Sequence, residues 1–399
     1  MLGNSFFSAE AAAQPDELKL VAHRIALSNG KTFALNLPAS YEISVAAEGL
    51  KRVRFLAKAP DGRMFVTNLY DLVDNRRGAI YILEGFDAQT GKIRKVIPYL
   101  QNLRNPNSIA FYKDVHGQDW VYVALTDKLE RFKFQSGDEK PSSEPEVLGR
   151  YPDHGLNYKY GGWHLTRTIV FGEKENKDKL YISVGSSCNA CEETEEIRAS
   201  ISVMDADGKN ARIIYRGLRN AVGMKIAAGK LYATNMGADH LGDDAPDDTM
   251  FALDEEVGAS QAPGNYGWPY CYFENGKLNE DPKFAASTRK VDCGKVPMAF
   301  TTFAAHGSPL GLEYFEATSA DELLREHFLV ALHGASRKRL KRGYKVVRVA
   351  KDGKQEDFIT GFLQGGTIHG RPCDIFRVGA DSFLLTDDNA GVIYFVRRK

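Results

Sequence analysis

A short run of apolar residues, opened by a turn, recurs along this chain. It reads DGRMFVTN around Phe65, GQDWVYVA around Tyr122 and DKLYISVG around Tyr181. It returns as GKLYATN around Tyr232, HFLVALHG around Leu329 and DSFLLTDD around Leu384. Each copy is followed by a second apolar run: GAIYILEG, LERFKFQ, SISVMDADG, TMFALDE, YKVVRVA and GVIYFVR. Apolar runs of this length between turn residues mark strands. The six copies stand 57, 59, 51, 97 and 55 residues apart. A blade of four strands cannot bury both of its faces alone, so neighbouring blades must stack and the ring must close. The pattern predicts an all-β chain, a six-bladed β-propeller over residues 35–399, with an early strand at 42–47 completing the last blade. The 97-residue interval is one repeat plus a long inter-blade insertion, about 259–302, which has little periodicity. Loops of that length inside a compact fold more often carry function than not. Two unrelated β-rich domains are the competing architecture. Residues 1–34 are expected as an N-terminal tail.

Composition narrows the class. The chain has 399 residues, of which 43% are hydrophobic and 26% charged, enough for a sizeable core. By length alone two or three domains would be expected; the repeat gathers them into one ring. Lys plus Arg and Asp plus Glu are both 52, so the net charge is zero and no general affinity for nucleic acid or anionic membrane is implied. No apolar run approaches the ~18–20 residues that would insert into a bilayer. The N-terminal MLGNSFFSAEAAAQ ends like a signal-peptide cleavage region without basic residues before Lys19, and reads as the remnant of an export signal or as a disordered tail.

Several familiar sites are absent. Gly30-Lys31-Thr32 lacks the earlier glycine of a phosphate-cradling loop, because position 25 is Ile25. There is no GxGxxG after a strand and no GxSxG elbow. Cys188 and Cys191 have the spacing of half a zinc site, but no second half accompanies them, which favours a local disulfide. Cys271 and Cys293 bracket the insertion and would staple it similarly; closing such a loop is worth about 3 kcal/mol. Cys373 is left over.

Three features carry candidate chemistry. The loop 239–248 reads DHLGDDAPDD and holds five aspartates, hard oxygen ligands of the kind calcium takes; a solvated acidic turn is the plain alternative. His164 opens a strand just after a Gly-Gly turn, where a propeller lines its central mouth and a histidine can act as general base. A histidine satisfied on both nitrogens by backbone is the rival reading. Arg219-Asn220 also precedes a strand, and an arginine there can fix an anion or polarise a carbonyl, or simply form a salt bridge.

Taken in order, HLTRTIVFG, KLYISVGSSCNACEE, YRGLRNAVGM, GKLYATNMGADHLGDD, NYGWPYC, AHGSPLGLEYF, GYKVVRV and GRPCDIF resemble the soluble quinoprotein sugar dehydrogenases, the glucose/sorbosone dehydrogenase family, and most of all its sorbosone-dehydrogenase-like branch. The resemblance runs from about residue 35 to the C-terminus. It implies a six-bladed propeller, pyrroloquinoline quinone (PQQ) over the mouth with a calcium ion, and a periplasmic or secreted protein. It implies a sugar, polyol or aldehyde as substrate and a dye or cytochrome as electron acceptor. By motif, His164 would take the substrate hydroxyl proton and Arg219 would polarise the accepting quinone carbonyl. Asn220 and Asn107 would lie beside the cofactor, and Arg371 would pair with one of its carboxylates. Gly237 and Ala238 would offer carbonyls to calcium, with Asp239, Asp243 and Asp244 shaping that loop or binding the metal directly. Two departures stand out. Arg371-Pro372-Cys373 lacks the second arginine of the glucose-oxidising members, and the stretch opening at His333 lacks the tryptophan of the sorbosone branch. They motivate one alternative, a propeller that has lost PQQ and serves as a binding module; a calcium-dependent lactonase on a similar propeller is a further one.

Overall fold

The structure is a computed structural model that describes residues 18–156, 162–254, 262–319, 321–336 and 338–399. It contains six sheets arranged as blades, and no α-helix among the described residues. Blade 1 is built from Val53–Lys58, Met64–Asn68, Gly78–Asp87 and Lys92–Leu103, taken from the axis outward. Blade 2 follows with Ser108–Lys113, Asp119–Ala124, Lys128–Phe134 and Glu146–Arg150. Blade 3 is Arg167–Phe171, Lys179–Val184, Ser200–Asp205 and Arg212–Arg216. Blade 4 is Ala221–Ala227, Lys230–Asn235, Asp248–Asp254 and Thr301–Phe303. Blade 5 is Pro309–Phe315, His327–Leu332, Lys345–Val349 and Gln355–Ile359. Blade 6 takes Pro372–Gly379, Ser382–Asp387 and Val392–Arg398 from the end of the chain and Tyr41–Ala47 from its beginning.

Each inner strand packs on the next, and that of blade 6 packs on that of blade 1, so the ring is closed. The six apolar runs of the sequence are the second strands. In blade 1 all five residues of MFVTN are buried, because both faces of the blade meet a neighbour. The expected closing strand is present, Tyr41 pairing with Arg398 and Ala47 with Ile393. The insertion sits inside blade 4, between its third and fourth strands, rather than between blades. Residues 20–34, assigned to a tail on sequence, belong largely to a hairpin of Leu20–Ala26 and Thr32–Pro38. Ile25, Phe33, Leu35 and Leu37 bury that hairpin against blades 5 and 6. The export-signal reading falls on residues outside those described.

Two recurring devices shape the axis. The inner strands of blades 1, 4, 5 and 6 each carry a register shift near their start. A bulge re-aims side chains, and here Phe55, Val222, Leu310 and Cys373 converge with Met236 into one apolar cluster. It closes the channel and makes a floor. The second device is a hydroxyl below three of these four bulges, in blades 1, 4 and 6. Thr67, Thr234 and Thr386 accept the N–H of Phe55, Gly223 and Asp374 and donate to the carbonyls of Asn107, Leu310 and Arg54 in the next blade.

Candidate active site

Above that floor lies a cavity of about 190 Å³ whose lining comes from blades 1 to 5 and includes Arg54, His164, Asn220 and His333. His164 holds φ 46°, in the left-handed region, which turns its side chain inward. Arg167 donates to the His164 carbonyl at 2.8 Å and fixes that turn. Gly185 lets the ring in: a Cβ there would lie 2.5 Å from the His164 Cβ and 2.6 Å from Asn220 Oδ1. The Nδ1 of His164 lies 2.9 Å from the Ser186 carbonyl, which can only accept, so Nδ1 carries the hydrogen. Nε2 is then the lone-pair nitrogen, and it has no hydrogen-bond partner among the described residues. Burial and then the Arg219 charge hold the imidazole well below its ordinary value, so it is neutral at neutral pH.

Arg219 is buried and spreads three donors over two loops. Nε and Nη2 reach the Asn189 carbonyl and side-chain oxygen at 2.8 and 2.9 Å, and Nη1 reaches the Gly237 carbonyl at 2.8 Å. Burial lowers its guanidinium to about 10, against the opposing pull of Asp239 and Asp248. Asn220 has its amide nitrogen on the Met236 sulfur at 3.4 Å and lines the same cavity. Sequence reading thus placed His164, Arg219 and Asn220 together, and the structure brings them together.

Arg371, at the start of blade 6, lies behind His333, its Nη1 3.5 Å from that ring's Nδ1. It donates to the Gly334 and Ala335 carbonyls and to Tyr344, and has no carboxylate partner among the described residues. Next to it stands a pair that sequence reading missed. His333 lies 2.7 Å from Asp388, which is fully buried and also bridged to Arg54 at 2.9 Å. Burial would raise the Asp388 carboxyl, but His333 and Arg54 pull it below the usual carboxylate range. No spacing rule joins residues 54, 333 and 388; only ring closure does.

Other expected site residues take different roles. Asn107 is fully buried, with Oδ1 on Arg54 and Nδ2 on the Arg167 carbonyl and Thr168. It ties blades 1, 2 and 3 and turns no polar atom to the mouth. Asp243 and Asp244 face Arg339 and Arg342 from blade 5, Asp243 through two bonds of 2.6 and 2.7 Å. Those guanidiniums turn them away from the Gly237 loop. Asp239 meets His306 at 2.9 Å and lies 3.9 Å from Arg219. Asp248, whose carboxyl burial pushes up to about 7, accepts the Gly237 and Ser308 N–H groups at 2.7 Å. The cysteines pair as Cys188–Cys191 and Cys271–Cys293, while Cys373 is free and buried in the floor.

Two group types can be tested against this site. A planar polyanion fits: Arg371 lacks an anionic partner among the described residues, and the neutral His164, the Asn220 amide and Arg54 line the cavity on the other side of His333. Calcium does not fit the loop as it stands. Arg219 occupies the Gly237 carbonyl, the carboxylates of Asp239, Asp243 and Asp244 each face a basic side chain, and of the expected donors only the Ala238 carbonyl has no hydrogen bond among the described residues.

The TrAA12-like family matches residues 35–360. Among solved structures, the holo PQQ domain of pyranose dehydrogenase from Coprinopsis cinerea is similar at 18% identity and TM-score 0.71, over 92% of this chain and 97% of that one. A calcium structure of a carbohydrate-active enzyme of family AA12 from Trichoderma reesei is similar at 15% identity and TM-score 0.73, over 97% and 99%. The soluble aldose sugar dehydrogenase from Escherichia coli in its apo form is similar at 12% identity and TM-score 0.63, over 90% and 100%. At such identities the likeness shows the shared propeller fold. No curated protein matches the chain in sequence.

Proposed function

The chain belongs to the TrAA12-like family, and from that premise we propose that its mouth binds PQQ and oxidises a sugar, polyol or aldehyde. The observation that carries the proposal is His164: a neutral imidazole, its hydrogen fixed on Nδ1, presenting Nε2 to a cavity that Arg54 lines and Arg371 backs through His333. PQQ, when bound, supplies the acceptor for the two electrons that leave the substrate as hydride. The chain's own share is positional and electrostatic. Nε2 of His164 takes the hydroxyl proton, so the carbon–oxygen double bond can form as the C–H bond breaks. Arg219 and Asn220 place a charge and an amide beside the reacting group, and Arg371 offers its charge to a carboxylate of the cofactor. The apolar floor of Phe55, Val222, Leu310 and Cys373 keeps water from entering along the axis.

Calcium enters this reading only as an ion at the Gly237 and Ala238 carbonyls, which requires Arg219 to leave Gly237. A dye or cytochrome would take the electrons onward. Two disulfides, and the absence among the described residues of any helix long and apolar enough to cross a membrane, support a periplasmic or secreted location. The test is reconstitution with PQQ, with and without calcium, followed by dye reduction over a panel of sugars. His164→Ala should lower turnover by ~10²–10⁴-fold, the usual share of a positioned base. Turnover at the wild-type rate would remove His164 from the reaction.

A further inference from the structure

A larger groove lies beside the mouth. Its volume is about 480 Å³, within the ~300–1,000 Å³ typical of ligand sites. One wall is the segment after Cys188–Cys191, and the other is the insertion that carries Cys271–Cys293. Between them runs the end of blade 3, at Arg216 and Gly217. Both disulfides therefore brace the lips of one groove. The lips are also tied directly, by Lys283 Nζ on the Ala190 carbonyl at 2.5 Å and by Ser287 on Glu192. Rigid walls lower the ordering cost of binding.

The lining selects a ligand class. Trp268 and Tyr270, both half-buried, offer flat apolar surface. Around them Glu192, Glu193 and Glu196 stand against Arg198, Arg216 and Arg289, three carboxylates and three guanidiniums. Arg216 pairs with Glu196, Arg289 with Glu192, and Arg198 with Glu195 just outside the lining, so the groove's charges are largely compensated and favour neither an anion nor a cation. Acceptors, donors and flat rings in one neutral trough suit a neutral polyhydroxylated chain, whose C–H faces lie on aromatic rings while its hydroxyls bond to charged groups. The groove also neighbours the mouth. Gly217, Trp268 and Pro269 line both the groove and a small cavity under Arg219 and Gly237, and Met236 lines both that cavity and the mouth.

We propose that this groove binds the body of a neutral oligosaccharide whose terminal unit reaches the mouth, so that the substrate is a glycan chain rather than a free monosaccharide. The proposal deepens the sugar-oxidation reading and rests on it for the reaction at the terminal unit.

The experiment is calorimetric titration of the full chain, without added PQQ, against cello-, xylo- and manno-oligosaccharides from the monosaccharide upward. Affinity should rise with chain length in at least one series, by roughly tenfold or more over the monosaccharide. Trp268→Ala should abolish that gain, as loss of a central aromatic contact does. Glu196→Gln, at an exposed position that keeps its shape, should reduce it while the fold is retained. Length-independent binding in all three series, or a gain untouched by both variants, overturns the proposal. PQQ titration of the same preparation separates the two readings: chain-length-dependent binding without PQQ binding would sink the oxidation reading and leave the groove. PQQ-dependent turnover without any length effect would do the reverse.

Discussion

At His164 the depressed basicity has consequences for both rate and stability. Burial and the Arg219 charge lower the imidazole well below 6.5, so the base stays unprotonated as the medium becomes mildly acidic. The acid limb of kcat/KM should therefore fall below pH 6.5. In Arg219→Leu, which removes the charge that acts most strongly on the ring, the limb should move upward, whatever happens to the plateau; a limb that stays put would mean Arg219 does not act on His164. The sign for folding follows from the same shift: the unfolded chain binds the proton more readily, so this histidine's contribution to stability is complete above pH 6.5 and is lost as pH falls toward the folded value. His164 and Arg219 were legible in the sequence because each opens a strand at a turn, and ring geometry sends such positions to the mouth. Asn107, Asp243 and Asp244 were not. Their partners Arg54, Arg339 and Arg342 lie far away along the chain, and only the closed ring sets them side by side.

Among the elements, the second strands announced themselves as continuous apolar runs because neighbouring blades cover both their faces. The inner strands were harder to see. Their bulges interrupt alternation, and segments such as AVGMKIA and PLGLEYF mix glycine with apolar and charged residues. What the bulges disrupt, the threonines repair. Thr386 is fully buried, accepts the Asp374 N–H at 2.9 Å and donates to the Arg54 carbonyl at 2.8 Å. Thr386→Val keeps the shape but leaves both backbone groups unpaired at the junction of blades 6 and 1. It should cost about 1–3 kcal/mol in urea unfolding; an unchanged midpoint would mean that the hydroxyl contributes no net stability. The insertion was visible as an interval too long for one repeat. Its place within blade 4 was not, since the fourth strand Thr301–Phe303 is only three residues long.

For the molecule as a whole, ring closure decides what the length could not. Tyr41–Ala47 near the start of the chain and the last strand, Val392–Arg398, share one blade, so the six-fold repeat makes a single closed unit and not two or three domains. Closure also gathers Arg54 from blade 1, His164 from blade 3, Arg219 at the edge of blade 4, His333 from blade 5 and Arg371 from blade 6 around one floor. The zero net charge of the chain thus hides a mouth lined by Arg54, with Arg219 and Arg371 close behind its two histidines. A mouth of that character is what a flat, multiply anionic quinone requires, and the account stands or falls on it. The most direct test is equilibrium titration of the purified protein with PQQ, followed by calorimetry. Saturation at one PQQ per chain, unchanged in His164→Ala, is the result expected. The absence of saturable binding to the folded protein would contradict the account.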